Sequence, residues 1–145
     1  MIRSSHCRPA SSAACNGLTK SANADNVASP FNLKAACITG WMTVFAGQIR
    51  NHLRHTWMVY VPGLYTSLDL TDVAALTAPG ALLVQQCARD TLYPMSAMKE
   101  AVDRLTQIYA KAGLAERFRG TFYDEPHSFP PAMQDEAVAW LEKWL

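Results

Sequence analysis

An α/β fold, with a short and mostly parallel sheet flanked by helices, is what this sequence predicts. Three observations carry the prediction. Short apolar runs of strand length stand at Lys34–Thr39, Ala81–Gln86 and Arg119–Tyr123. Stretches in which apolar residues recur every three or four positions follow the second and third runs. The run Ala81-Leu82-Leu83-Val84 is continuously apolar, as in a parallel strand covered on both faces. Strand, helix, strand, helix in alternation implies parallel strands joined by crossover helices.

Residues 1–30 are rich in Ser, Ala and Asn without helical or strand periodicity, and are expected to form an irregular, disordered arm. The packed domain is expected over 31–145. Its first strand, Lys34–Thr39, ends at Gly40. A helix around Val44–His55 follows, then a turn at Pro62-Gly63. Asp69 to Leu76 suits a short helix, with Asp69 or Thr71 as its N-cap. Pro79-Gly80 punctuates the chain before the second strand. Ser96 can cap a helix running to Ala112, with Met98, Ala101, Val102, Leu105, Ile108, Tyr109 and Ala112 on its apolar side and Gly113 as its stop. After the third strand, Pro130 and Pro131 open a last helix. Asp135 and Glu136 are expected in its first turn, and Met133, Ala137, Val138, Leu141, Trp144 and Leu145 form its stripe.

Composition bounds the partners. The 145 residues are 50% hydrophobic and 17% charged with formal net charge +1, ordinary for one globular domain. Such a balance carries no electrostatic footprint for nucleic acid or an anionic membrane. No apolar run reaches the about 18 residues of a membrane span, and residues 4–14 lack the apolar stretch of a signal peptide. A cytoplasmic location is the expectation. Cys7, Cys15, Cys37 and Cys87 include no C-x-x-C pair, and Cys37 and Cys87 are expected as buried free thiols. His52 and His55 lack a third ligand, so neither a metal nor a cofactor is expected. Ser96-Ala-Met-Lys99 matches S-x-x-K without its companion motifs, and a cap explains that serine better. Trp41, Trp57, Trp140 and Trp144 suit a core or an interface better than a carbohydrate platform.

Asp90 and His127 carry the chemistry. Each lies four residues beyond a strand run, and ligands of open α/β sheets sit outside the carboxyl ends of strands. Parallel strands put both residues at one rim. An aspartate there can hold an imidazole by its Nδ1–H and leave Nε2 to accept a proton from a nucleophile. Asp124 is the competing acid, but its closeness in sequence suits local turn bonding.

From about Leu33 onward the chain resembles the C-terminal half of an α/β-hydrolase, of the acetyl xylan esterase and dienelactone hydrolase-like kind. The residues that carry the resemblance are Lys34-Ala-Ala-Cys-Ile-Thr-Gly-Trp-Met, Leu70-Thr-Asp-Val-Ala-Ala-Leu-Thr-Ala-Pro, Leu82-Leu-Val-Gln-Gln, Arg89-Asp-Thr-Leu-Tyr-Pro and Phe122-Tyr-Asp-Glu-Pro-His-Ser-Phe. His55-Thr-Trp-Met and Tyr60-Val-Pro-Gly-Leu belong to the same set. The resemblance implies carboxylic-ester hydrolysis, a small-molecule ester as substrate, Asp90 as the acid and His127 as the histidine of a Ser-Asp-His triad. The Gly-x-Ser-x-Gly elbow of that family is absent: Ser4, Ser5, Ser11, Ser12, Ser21 and Ser29 all lack glycine on both sides. A truncated hydrolase, inactive or nearly so alone, is therefore expected. The alternative is a non-catalytic interaction module that oligomerises with itself or binds a partner through an exposed sheet edge.

Overall fold

A computed structural model describes residues 33–51 and 61–145. Among the described residues, three parallel strands form one sheet in the order β1-β2-β3: β1 is Ala35–Thr39, β2 Ala81–Cys87 and β3 Phe118–Tyr123. Cys37 pairs with Leu83, and Gln85 with Thr121. Helices α1 (Phe45–Asn51), α2 (Leu70–Ala75), α3 (Met95–Lys111) and α4 (Pro131–Trp144) flank the sheet. The α/β architecture is that of the sequence reading. The arm and the segment holding His52, His55 and Trp57 lie outside the described residues.

Alternation on β2 separates two cores. Leu82 and Val84 join Met42, Val44, Phe45, Ala97, Ala101, Leu105 and Tyr109 on the α3 side. Ala81 and Leu83 meet Ala137 and Trp140 on the α4 side. All seven β2 residues are buried, whereas all five of β1 are half-buried. This contrast follows from position: β2 is flanked by strands and covered by helices, whereas β1 has a strand neighbour on one side only among the described residues.

Asp69 ties three helices together. Its Oδ1 accepts from Leu70 N (2.7 Å) and from Phe45 N (3.0 Å), so it serves the first turns of both α2 and α1. Asp72 completes a capping box by accepting from Asp69 N at 2.7 Å. Asp69 Oδ2 meets Arg104 of α3 at 3.1 Å. Thr71, the other candidate cap, is buried within α2. Loss of a cap costs about 1 kcal/mol, and here it also strands the Phe45 N–H. Asp69→Ala should therefore lower stability by about 1–2 kcal/mol in urea denaturation, with Asp69→Asn milder.

Some sequence expectations change at α3 and α4. Helix α3 starts one residue before Ser96, with Pro94 as its N-cap, so Ser96 caps nothing. Pro94 enters at φ −62°, ψ 133°, and its carbonyl accepts from Ala97 and Met98. Helix α4 starts at Pro131, which moves Asp135 and Glu136 past its first turn. Of its expected stripe, Met133 and Ala137 are buried and Leu141 and Trp144 half-buried, but Val138 and Leu145 are 55% and 72% exposed. Ala112, placed on the apolar side of α3, is exposed as its C-cap. Gly113 follows at φ +73°, the left-handed stop expected.

Glu136 anchors α4 to the sheet. Its carboxylate accepts from Gln85 Nε2 (2.8 Å), Tyr123 hydroxyl (2.8 Å) and Thr121 hydroxyl (3.0 Å), with Arg119 at 3.7 Å. Gln85 also donates to Met133 O at 2.9 Å and accepts from Thr39 at 3.0 Å. Polar groups thus run beneath all three strands. Burial opposes ionisation of Glu136, but donation from Gln85, Tyr123 and Thr121 and the charge of Arg119 outweigh it and hold the carboxyl below its usual range. Burial, then the bond to Glu136, pushes the Tyr123 hydroxyl up to about 12; burial does the same to Tyr109.

The signs set a pH window. A lowered carboxyl stabilises the fold above its unfolded value of 4.5, and that contribution is lost as pH falls through the lower folded value. The raised tyrosines stabilise fully below 10, and that contribution is lost as pH rises toward about 12. Thermal midpoints should therefore fall on both sides of a plateau between about pH 5 and 10. Glu136→Gln should flatten the acid side selectively.

Candidate active site

All three strands deliver a residue to one rim of the sheet. Beyond β1, Gly40 adopts φ +60° and its N–H extends the ladder to Gln85 O at 2.7 Å. Beyond β2 the chain turns, with Asp90 N donating to Cys87 O at 3.1 Å. Beyond β3 a loop leads through Pro126 to His127 before α4 begins. Parallel strands end on one side, which is why three distant segments converge.

Asp90 and His127 meet there: His127 Nδ1 lies 2.7 Å from Asp90 Oδ2. The Asp90 side chain is fully buried, and that of His127 is 52% exposed. Asp90 Oδ1 is already taken by Leu92 N at 2.7 Å. Each carboxylate oxygen therefore has one donor, and a buried carboxylate needs both. An ionised acid only accepts, so Nδ1 carries the proton and Nε2 is left as the basic nitrogen. Among the described residues, Asp90 is the hydrogen-bond partner of that ring. Such a pair can accept a proton at Nε2 while the carboxylate stabilises the imidazolium formed.

Gly40 lies beside the same ring. A Cβ built on it would lie 3.5 Å from His127 Cε1 and 3.6 Å from Nδ1. There is space for a methyl group, but φ +60° disfavours any residue with a Cβ. The sequence marked Gly40 as the end of a strand; its place beside the histidine comes from β1 running parallel to β2. Gly40→Ala should therefore cost about 1–2 kcal/mol of stability, checked by denaturation, and should shift the His127 ring resonances.

The two loops are laced together beside the pair. Ala88 N donates to Tyr123 O (2.7 Å) and Arg89 N to Glu125 O (3.0 Å). Arg89 adds a fork, with Nε 2.9 Å from Asp124 Oδ1 and an Nη donating to Asp124 O at 2.8 Å. The Cys87 thiol points at Ser128 O, 3.4 Å away. Asp124 thus turns away from His127 toward Arg89, a partner that turn-based reasoning from sequence missed. Its signal in the sequence was an arginine immediately before the acid.

Other candidates stay separate. Ser96 and Lys99 are both exposed and make no hydrogen bond to each other. Cys37 and Cys87 are free; Cys37, half-buried, has its thiol pushed up chiefly by burial. Trp41 is 41% exposed, and Trp140 and Trp144 pack at 5.8 Å on α4. The serines between 4 and 29, with Cys7 and Cys15, lie outside the described residues. Among the described residues no cluster of His, Cys, Asp and Glu could hold a metal ion, and no helix is long and apolar enough to cross a membrane.

No protein-family model matches this chain. Over 92 residues it is 30% identical to a protein named "Putative hydrolase YtaP" from Bacillus subtilis (strain 168). The match takes in 63% of this chain and 31% of that protein. The chain spans about a third of the length of the curated relative it matches, and what it resembles there is part of a protein named as a hydrolase.

Proposed function

We propose that this chain is the acid-and-histidine portion of a carboxylic-ester hydrolase of the α/β-hydrolase kind, close to acetyl xylan esterases and dienelactone hydrolase-like enzymes. The 2.7 Å contact between a fully buried Asp90 carboxylate and His127 Nδ1 carries this reading. In it, His127 Nε2 takes the proton of a nucleophile attacking the ester carbonyl and then returns it to the leaving alcohol. Asp90 fixes the tautomer and balances the imidazolium. The hydrolase resemblance supports the reaction class. The sequence holds no Gly-x-Ser-x-Gly elbow, so this portion is expected to be inactive or nearly so by itself, its residual turnover limited to water activated by His127. General-base assistance alone is worth about 10²–10⁴-fold, so turnover should be slow.

A second reading rests on β1. Its five residues are half-buried and it bonds to a neighbour on one side only among the described residues. An open edge of that kind pairs with other chains. The alternative function is an interaction module that oligomerises or binds a partner there.

Hydrolysis of p-nitrophenyl acetate by the chain and by His127→Ala distinguishes the two. Activity above buffer that disappears in the variant is the expected result. Hydrolysis equal in both removes the hydrolase reading. No hydrolysis, together with a concentration-dependent oligomer in sedimentation, supports the module.

A further inference from the structure

We propose that Arg89 is a positioning residue for the Asp90–His127 pair, holding the loop after β3 so that the imidazole faces the carboxylate. The inference rests on the reading in which those two residues work together.

Among the described residues, His127 has little else to hold it. Its ring is half-exposed, it follows Pro126, and α4 begins only at Pro131. Within this loop the bonds are local: Glu125 N to Tyr123 O, and Ser128 hydroxyl to Pro126 O. At the far end, Gln134 donates to Phe129 O. The bonds that cross to the acid's own loop come from Cys87, Ala88 and Arg89, and Arg89 supplies three of its polar groups. Its backbone N–H reaches Glu125 O, its Nε reaches Asp124 Oδ1 and its Nη reaches Asp124 O. Consecutive residues therefore grip one loop: Arg89 takes 124 and 125, and Asp90 takes 127. Because the guanidinium is planar, its two bonds fix direction as well as distance.

The pair is exposed, 61% on Arg89 and 88% on Asp124. Solvent-exposed ion pairs add little to global stability. A bidentate clip of this kind is more useful for orientation, and that difference makes the inference testable.

The test is nitrogen-15 NMR of the His127 imidazole in the full chain, with thermal midpoints measured in parallel. Wild type should show the Nδ1–H tautomer with a slowly exchanging ring proton. In Arg89→Ala the Nδ1–H population should fall and exchange of that proton should speed up at least severalfold, with the midpoint within about 2 °C of wild type. Arg89→Lys keeps the charge without the fork and should resemble Arg89→Ala more than wild type. Asp124→Ala removes only the carboxylate half of the fork and should reproduce part of the effect, and the double variant should be no worse than Arg89→Ala alone. Arg104→Ala removes an exposed arginine that bonds Asp69 and Glu100 and should leave the ring signals unchanged. Unchanged tautomer and exchange in both Arg89→Ala and Arg89→Lys would overturn the proposal. Asp90→Asn separates the failures. If it alters the ring while the Arg89 variants do not, only the role of Arg89 falls. If it too leaves the ring untouched, the paired reading of Asp90 and His127 falls first.

Discussion

Asparagine at position 90 is expected to turn the His127 imidazole from its Nδ1–H to its Nε2–H form. The reason lies in the second oxygen. Asp90 Oδ1 accepts from Leu92 N at 2.7 Å, and an asparagine would keep its carbonyl oxygen there. Its NH2 would then face Nδ1, which can satisfy a donor only by accepting. The proton moves to Nε2, and the nitrogen that accepts a proton in the proposed reaction becomes a donor. In an intact triad this substitution costs about 10⁴-fold in turnover. Nitrogen-15 shifts of the ring read the tautomer directly. His127 retaining Nδ1–H in Asp90→Asn would contradict the geometry described for the pair.

The second large effect is expected at Leu82. It is fully buried in β2 and packs toward α3 with Val84, Ala101 and Leu105. Truncation to alanine removes its methyl groups from a close-packed site and leaves a cavity. Such changes cost about 2–5 kcal/mol, which corresponds to a fall on the order of 10 °C in thermal midpoint. Val138→Ala is the matched comparison, since Val138 is 55% exposed on α4 and its loss should be nearly silent. A Leu82→Ala midpoint within 2–3 °C of wild type would mean that the α3 side of the sheet is not the principal core.

How far the sequence could be followed depends on whether a signal was local. Strand β2 was legible because continuous burial leaves a continuous apolar run. Helix α3 was legible because its core residues recur at helical spacing. The start of α3 was missed by one residue, since Ser96 is a good cap by type but Pro94 already sets the entry direction. Helix α4 was legible in most of its stripe: Met133 and Ala137 are buried and Leu141 and Trp144 half-buried, while Val138 and Leu145 face solvent. Gln85, Thr121 and Tyr123 all donate to Glu136, which turns that carboxylate inward on the helix that also buries Trp140.

The order of acid and histidine, each a short step past a strand, was written in the chain. So was the absence of a serine elbow. The partner of Asp90 Oδ1, the place of Gly40 beside the imidazole and the grip of Arg89 on Asp124 were not. Periodicity and end signals report what a residue does to its own few neighbours. Contacts between segments arise only when parallel strands bring three loops to one rim, and the bonds made there depend on which polar atoms remain unsatisfied after the sheet and helices have formed.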